Sequence, residues 1–357
     1  NQMGKRYKYV FDGQVYAQRL TGQYRYADEI LMELDKIISR NEFEIVVPRY
    51  VNIDGKFKNI KVVYYGNVKG LLWTQTSLLC YLLKNHAISI GFCNITPILK
   101  PGITVVHDIG YKVLRSHYKN LYGRLSSLWH RLNYWVIAKS GMPIITVSNF
   151  SKRQIAEVYK VNPNRISVIG NGWQHYERIK EDNSAFDKFS DIKPHQYYFA
   201  IGSLEERKNF KWILEVARRN PDSMFVVAGG KVKNATHELD FSVASNVKFV
   251  GYIKDGIAKS LMANCKAFLF PSTFEGFGIP PLEALSVGAK VICSDITCLH
   301  EICRGAVGYI DPEDYDVDLD ECLVVDSGSA DSVLGRYSWR SSAELLKKLL
   351  NHFRSKP

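Results

Sequence analysis

Residues 270–284 read FPSTFEGFGIPPLEA. The apolar run ending at Phe270 is typical of a buried strand, and Pro280-Pro281 favour the first turn of a helix, where proline is well tolerated. Gly276 and Gly278 lie between them, and glycine allows the backbone to approach a ligand closely. Because open α/β sheets bind ligands at the carboxyl ends of their strands, this loop is a predicted binding site.

Two carboxylates, Glu275 and Glu283, flank the start of the predicted helix. Amide groups at a helix N-terminus favour an anion such as diphosphate. Carboxylates are poor partners for phosphate, but they accept hydrogen bonds from sugar hydroxyls. The pattern therefore predicts a diphosphate held by amides, with hydroxyl groups on either side held by the two acids.

This segment resembles the E-x7-E signature of the retaining GT-B glycosyltransferases, specifically glycosyltransferase family 4. The resemblance implies that Glu275 contacts hydroxyls of the transferred sugar and that Glu283 contacts the ribose of the nucleotide. The remaining donor-binding residues that it implies here are Gly276, Phe277, Gly278 and Ile279. The alternative is an ordinary strand–loop–helix unit with incidental acids.

A second segment, GSLEERKN at residues 202–209, resembles the family's glycine followed by R-K-N. Two cations at a strand end can neutralise the charge that builds on a departing diphosphate. The resemblance assigns that role to Arg207 and Lys208, with Gly202 and Ser203 also at the donor. Some members place an arginine directly after the glycine, where this chain has Ser203. Arg207 therefore either reaches the phosphate or only braces its loop.

Three shorter segments complete the predicted site. Tyr252 and Ile253 resemble the family's loop beside the nucleotide base. His107 ends a predicted strand of the first half and resembles the histidine near the transferred sugar. Gly22 opens the first long helix and resembles the glycine loop near the reacting phosphate and the acceptor.

Short β-rich runs alternate with helical patterns along the chain, which indicates parallel sheets covered by helices. The predicted strands are 9–11, 44–47, 61–65, 103–107, 144–147, 166–169, 197–201, 224–228, 247–250, 267–270 and 290–293. We predict an α/β fold of GT-B architecture, two Rossmann-like doubly wound domains facing a central cleft. Residues 1–172 form the acceptor-binding domain, 173–340 the nucleotide-sugar donor domain, and 341–357 a helix that returns to the first domain.

The net charge of +11 is distributed unevenly. Residues 1–185 hold 26 Lys and Arg against 13 Asp and Glu, whereas residues 186–357 hold 21 against 23. Residues 111–135 interleave cations with aromatic and aliphatic side chains, which suits contact with an anionic membrane surface. A core helix with snorkelling basic residues explains the same pattern. We expect a cytoplasmic protein, peripheral at the inner face of the membrane, with no secretory signal or transmembrane segment.

The predicted function is a retaining hexosyltransferase of surface polysaccharide biosynthesis. The donor is a nucleotide-diphosphate sugar of mannose, glucose, N-acetylhexosamine or rhamnose type, and the acceptor is a saccharide, including a lipid-diphosphate-linked one. No cofactor and no metal are expected, because the D-x-D letters at 316–320 lie in an acidic stretch and no CxxC pair occurs. The alternatives are a sugar-nucleotide 2-epimerase of similar fold and a basic protein that binds nucleic acid or membrane without catalysis. No nucleic-acid-binding motif accompanies the charge.

Overall fold

The computed structural model describes residues 8–18, 21–117, 120–230, 239–323 and 328–355. The chain forms two compact units. One comprises Asn1–Arg115, Leu125–Gly172 and Ser338–Pro357, and the other comprises Ser116–Arg124 and Trp173–Tyr337. The predicted first domain, 1–172, includes Ser116–Arg124, which groups with the second unit. The final segment joins the first unit from Ser338, three residues before the predicted start of the C-terminal helix.

The first unit is built on a seven-stranded sheet in the order β3-β2-β1-β4-β5-β6-β7. All described neighbours in this sheet are parallel. The strands are β1 (Lys8–Asp12), β2 (Glu44–Val47), β3 (Lys61–Tyr64), β4 (Ala87–Gly91), β5 (Ile103–Val105), β6 (Ile144–Thr146) and β7 (Ile166–Val168). The helices are α1 (Gly22–Asp35), α2 (Leu71–Trp73), α3 (Leu79–Lys84), α4 (Gly110–Val113), α5 (Leu121–Lys139) and α6 (Asn149–Tyr159), with a π-helical turn at Thr74–Leu78.

The second unit has a six-stranded parallel sheet in the order β10-β9-β8-β11-β12-β13. Its strands are β8 (Tyr197–Ile201), β9 (Met224–Ala228), β10 (Val247–Gly251), β11 (Ala267–Phe270), β12 (Val291–Ser294) and β13 (Gly308–Ile310). Its helices are α7 (His175–Arg178), α8 (Ser184–Lys188), α9 (Phe210–Arg219), α10 (Asp255–Ala263), α11 (Ile279–Ser286), α12 (Thr297–Cys303) and α13 (Gly328–Leu334). The order is that of a doubly wound dinucleotide-binding fold.

Helix α14 (Trp339–Ser355) ends the described chain and packs against α1. Its Trp339, Leu346 and Leu350 side chains are buried, which covers an apolar stripe at helical spacing. Lys347 donates from Nζ to the carbonyl of Ile37, at 2.7 Å, and the Ser342 hydroxyl donates to the carbonyl of Gly170, at 2.7 Å. These bonds attach the last helix to the first unit.

Two strands of the structure, β4 and β13, are absent from the predicted set. β4 follows α3 after a two-residue turn in which His86 adopts a left-handed backbone conformation (φ 48°). No glycine or proline separates β4 from the apolar helix α3. The sequence pattern therefore does not distinguish the apolar residues of β4 from a continuation of α3. Among the described residues, no helix has the length and the apolar character that crossing a bilayer requires.

Candidate active site

The sheet order of the second unit reverses between β8 and β11, and both predicted donor loops follow these two strands. The loop after β8 carries Arg207, and the loop after β11 carries Thr273. The Thr273 amide donates to the Arg207 carbonyl at 2.8 Å, and its hydroxyl donates to the same oxygen at 3.2 Å. The two loops are therefore joined at the switch point, where doubly wound sheets bind their ligands.

Glu275 is the centre of this arrangement, with 7% of its surface exposed. Its Oε1 accepts from Lys208 Nζ at 2.6 Å and from the Ser272 hydroxyl at 2.5 Å. Its Oε2 lies 3.3 Å from Arg207 Nη1. All three residues belong to the predicted site, and in the structure Glu275 contacts both Lys208 and Arg207 directly.

Arg207 is also held by its own loop. Its Nε donates to Glu205 Oε2 at 2.7 Å, and its Nη1 donates to the Phe274 carbonyl at 3.3 Å. Ser203 donates from its hydroxyl to Glu205 Oε1 at 3.1 Å. Ser203 therefore orients the acid that holds Arg207, so in this structure Arg207 braces the loop and also pairs with Glu275.

Burial and charge act in opposite directions on these groups. Burial opposes ionisation of Glu275, but Lys208 and Arg207 outweigh it and hold the pKa of this carboxyl below its usual value. Burial lowers the pKa of Lys208, and the Glu275 carboxylate only partly offsets this because Arg207 acts in the same direction as burial. The Glu275 carboxylate is stabilised by two cations, whereas the Lys208 ammonium is stabilised by Glu275 and destabilised by the neighbouring Arg207.

The glycine loop leads into α11 through Gly278, whose φ is 89°. A Cβ at this position would lie 2.7 Å from Leu299 Cδ2, so both the backbone and the packing require glycine. Phe277 is buried edge-on against Tyr337, with ring centroids 5.3 Å apart. Because prolines at 280 and 281 have no N–H, the first amide of α11 that can face an anion is that of Ile279, which is half-buried. Gly276 lies in the loop before it and is buried.

Glu283 extends from the second turn of α11 to a histidine that no sequence motif indicates. Its Oε1 lies 2.7 Å from Nε2 of His175, at the start of α7. The two side chains are 12% and 2% exposed. The pair is separated by 108 residues in the chain, so no local motif could have indicated it.

The remaining predicted donor residues of this unit lie at strand ends. Gly202 directly follows β8, and a Cβ there would lie 3.5 Å from the Phe210 ring and 4.0 Å from Lys208 Cδ. Tyr252 follows β10 and is 77% exposed, whereas Ile253 beside it is buried. An exposed aromatic ring at the carboxyl edge of a sheet suits stacking on a planar base.

His107 and Gly22 belong to the first unit. His107 follows β5, and its Nε2 lies 2.8 Å from the carbonyl of Phe92, which fixes the Nε2–H tautomer. Its ring meets Tyr26 edge-on at 4.9 Å, and burial lowers its pKa, so the imidazole is neutral near pH 7. Gly22 begins α1, whose first turn is capped by the Thr21 hydroxyl. Among the described residues, no atom outside its chain neighbours and its own helix backbone would lie within 4 Å of a Cβ at this position.

Residues 182–318 match the family model for glycosyl transferases group 1. The matched region includes Arg207, Lys208, Glu275 and Glu283, and therefore both loops at the switch point. It begins within the second unit and ends after β13, so the similarity to this family lies entirely within the second unit.

Curated relatives share part of the chain. The O-antigen chain mannosyltransferase RfbU of Salmonella typhimurium is 26% identical over 223 residues, covering 61% of this chain and 59% of the relative. The processive diacylglycerol alpha-glucosyltransferase of Acholeplasma laidlawii is 30% identical over 165 residues, covering 44% of this chain and 49% of the relative. The chain thus aligns with about half to three fifths of the length of these proteins.

Solved structures share the whole fold. Anabaena Alr3699/HepE in complex with UDP-glucose superposes with a TM-score of 0.69 at 16% identity, covering 97% of this chain and 99% of that chain. WaaG, a glycosyltransferase involved in lipopolysaccharide biosynthesis, gives a TM-score of 0.63 at 17% identity, covering 94% of each chain. With the two parallel sheets, these neighbours confirm the predicted GT-B fold class.

Proposed function

We propose that this chain is a retaining, metal-independent hexosyltransferase of glycosyltransferase family 4 that uses a nucleotide-diphosphate sugar as donor. The observation that carries the proposal is the contact of Glu275 with Lys208 and Arg207 at the β8/β11 switch point. This places two cations and a hydroxyl acceptor where a doubly wound sheet binds its ligand.

The cations supply the charge that a diphosphate leaving group needs. Among the described residues, the Lys208 ammonium donates a hydrogen bond to Glu275 alone, and it lies 5.2 Å from the centroid of the Phe270 ring. An ammonium group has three donors, so it can also donate to phosphate oxygens. A donor diphosphate competes with Glu275 for Lys208 and Arg207, and Glu275 can then accept hydroxyls of the sugar. Two protein cations at this position make a divalent metal unnecessary for charge neutralisation.

In the proposed reaction, the bond from the anomeric carbon to the diphosphate oxygen breaks, and the bond to the acceptor oxygen forms on the same face of the sugar. The acceptor proton passes to the departing diphosphate, so no protein base is required. The protein contributes positioning and stabilises charge on the leaving group. In this mechanism Glu275 and Glu283 bind hydroxyls of the donor, and neither carboxylate attacks the anomeric carbon as a nucleophile.

The relatives support a hexose donor and a saccharide acceptor. RfbU is named for mannosyl transfer to an O-antigen chain, and HepE was solved with UDP-glucose. We therefore propose a role in assembling a surface polysaccharide on a saccharide or lipid-linked saccharide acceptor in the cytoplasm.

Thermal-shift binding tests the donor site. Wild type and Glu283→Ala are melted with UDP, GDP, ADP, dTDP and their sugar conjugates, with and without EDTA. We expect one nucleotide series to stabilise wild type, EDTA to leave the shift unchanged, and Glu283→Ala to weaken it. The exposed acid Glu313, changed to alanine, serves as the control and should bind like wild type. Failure of every nucleotide to stabilise wild type would contradict the proposal.

The proposed site of membrane contact is the outer face of α5. Four large apolar side chains on this face are exposed, at the helical spacing of three and four residues. They are Leu125 (58%), Leu128 (59%), Leu132 (42%) and Trp135 (54%). Lys112, Arg124 and Lys139 are exposed along the same segment. Tyr118 and Lys119, which belong to the predicted cation–aromatic mixture, lie outside the described residues.

An apolar stripe bordered by cations fits an anionic lipid surface, because the side chains enter the interface while the cations meet the headgroups. Flotation with phosphatidylcholine vesicles, with and without phosphatidylglycerol, tests this. We expect wild type to float only with the anionic lipid at low salt, and Leu128→Ser/Leu132→Ser to remain in the dense fraction. Leu345→Ser, at an exposed leucine of α14, is the matched control. If the double variant floats with the anionic vesicles as wild type does, the proposed membrane contact through α5 is wrong.

A further inference from the structure

The buried pair between His175 and Glu283 has a geometry that the proposed donor site does not yet explain. His175 is 2% exposed and gives one ring nitrogen to Glu283 Oε1 at 2.7 Å. From the part of the chain that the structure describes, no hydrogen-bond donor reaches the other carboxylate oxygen, Oε2. One oxygen of Glu283 is thus fixed by the protein, and the other is left for a further donor.

The segment that presents His175 is itself anchored. Trp173 donates from Nε1 to the Leu334 carbonyl, and Gln174 donates from Nε2 to the Tyr337 carbonyl, both at 2.9 Å. Lys259 donates from Nζ to the carbonyl of Tyr176 at 2.6 Å. Three consecutive side chains, 173–175, therefore make specific polar contacts, so the imidazole has little freedom to follow the carboxylate if it rotates.

We propose that His175 is a positioning residue that fixes the Glu283 carboxylate for the vicinal hydroxyls of the donor ribose. This inference rests on the proposed function, in which Glu283 binds the ribose. A donated imidazole hydrogen bond selects one orientation of the carboxylate and directs Oε2 away from α7. The ribose diol then binds to a carboxylate that is already oriented, so binding does not have to restrict the Glu283 side chain to one of several rotamers.

A purely structural contact between α7 and α11 is the competing explanation. It predicts that loss of His175 changes stability or weakens all nucleotides equally. Positioning predicts a loss confined to ligands that carry the ribose hydroxyls, because a dideoxyribose makes no bond with Glu283 in either protein. The selectivity for ribose, measured as the ratio of two dissociation constants, therefore separates the two explanations.

The experiment is calorimetric titration of the full chain with UDP, GDP and ADP and with the 2′,3′-dideoxy counterpart of whichever binds most tightly. Variants are His175→Phe, which keeps a ring without a donor, and His175→Gln, whose amide can replace Nε2–H. We expect His175→Phe to lose about tenfold in affinity for the ribonucleotide and none for the dideoxynucleotide, and His175→Gln to retain most of the selectivity.

His300→Phe is the matched control, because His300 also pairs with a carboxylate, Asp295, at 2.5 Å, but both side chains are exposed. Should His175→Phe fail to fold, His175→Asn replaces it, since its shorter amide does not reach the Nε2 position. Unchanged selectivity in the donor-free variant, or equal losses for both ligands, would overturn the inference while leaving the donor site intact. No binding of any nucleoside diphosphate to wild type would instead refute the proposed function.

Discussion

Removing one partner of the Lys208–Glu275 pair should destabilise the second unit more than removing both. The atoms are 2.6 Å apart, and the side chains are only 14% and 9% exposed. At an effective dielectric constant of about 20, this separation corresponds to roughly 6 kcal/mol of attraction, much of which the desolvation of two ions offsets. Because Arg207 remains near Glu275, we expect Lys208→Met to cost about 3 kcal/mol, at the lower end of the range for broken buried pairs.

The assay is a double-mutant cycle of Lys208→Met and Glu275→Gln in urea unfolding, with m-values compared across the variants. The double variant should be more stable than either single one, since it leaves no unpaired charge at these two positions. Lys266–Asp320 is the control pair, with a similar separation of 2.7 Å but with side chains 38% and 68% exposed. Its coupling should stay below about 1 kcal/mol. A coupling at the buried pair no larger than that of the control would refute the reasoning.

The pH dependence gives the same prediction an independent check. The pKa of Glu275 is held below its ordinary 4.5, because the two cations outweigh burial. The stabilisation from this carboxylate is therefore fully present above pH 4.5 and is lost as pH falls through the lower folded value. Glu275→Gln should flatten that part of the stability curve, and an unchanged slope would contradict the assignment.

Three further outcomes are expected. Burial raises the pKa of Asp12 from 3.8 to about 6, so the native state binds its proton more tightly and stability should fall by about 2 kcal/mol as pH rises from 4 to 7. Asp12→Asn should remove that fall in thermal melts. Gly278→Ala should cost about 2 kcal/mol more than Gly288→Ala, because both have positive φ but only Gly278 has a close neighbour; equal losses would indicate backbone strain alone. Tyr26→Phe should cost about 1 kcal/mol in urea unfolding, since the buried hydroxyl donates to the Ile169 carbonyl at 2.9 Å, and no change would mean that water replaces it.

The fold of the second unit was largely readable from its sequence. Its longer strands are short apolar runs that end at glycine, proline or polar residues, and these signals are local. The strand β13 (Gly308–Ile310) is absent from the predicted set because it begins at a glycine, which is depleted in strands and usually marks a turn. β4 was missed because the apolar residues of α3 precede it without a turn signal.

The candidate site was only partly predictable for the same physical reason. The loop positions of Glu275 and Lys208 follow from strand ends, which the sequence marks. The contact of His175 with Glu283, and the role of Ser203 in orienting Glu205, depend on tertiary packing and on side-chain direction. Tertiary packing and side-chain direction cannot be predicted from the spacing of residues in the sequence, so these two contacts are seen only in the three-dimensional structure.

The attachment of α14 to the first unit has a consequence for biosynthesis. About 300 residues separate α1 from α14, so at typical rates of 5–20 residues per second the ribosome needs roughly 15–60 seconds between them. During that interval the surface of α1 on which α14 packs, including Tyr26 beside Trp339, has no covering helix. The first unit therefore cannot be completed until the seventeen-residue helix α14 has left the exit tunnel.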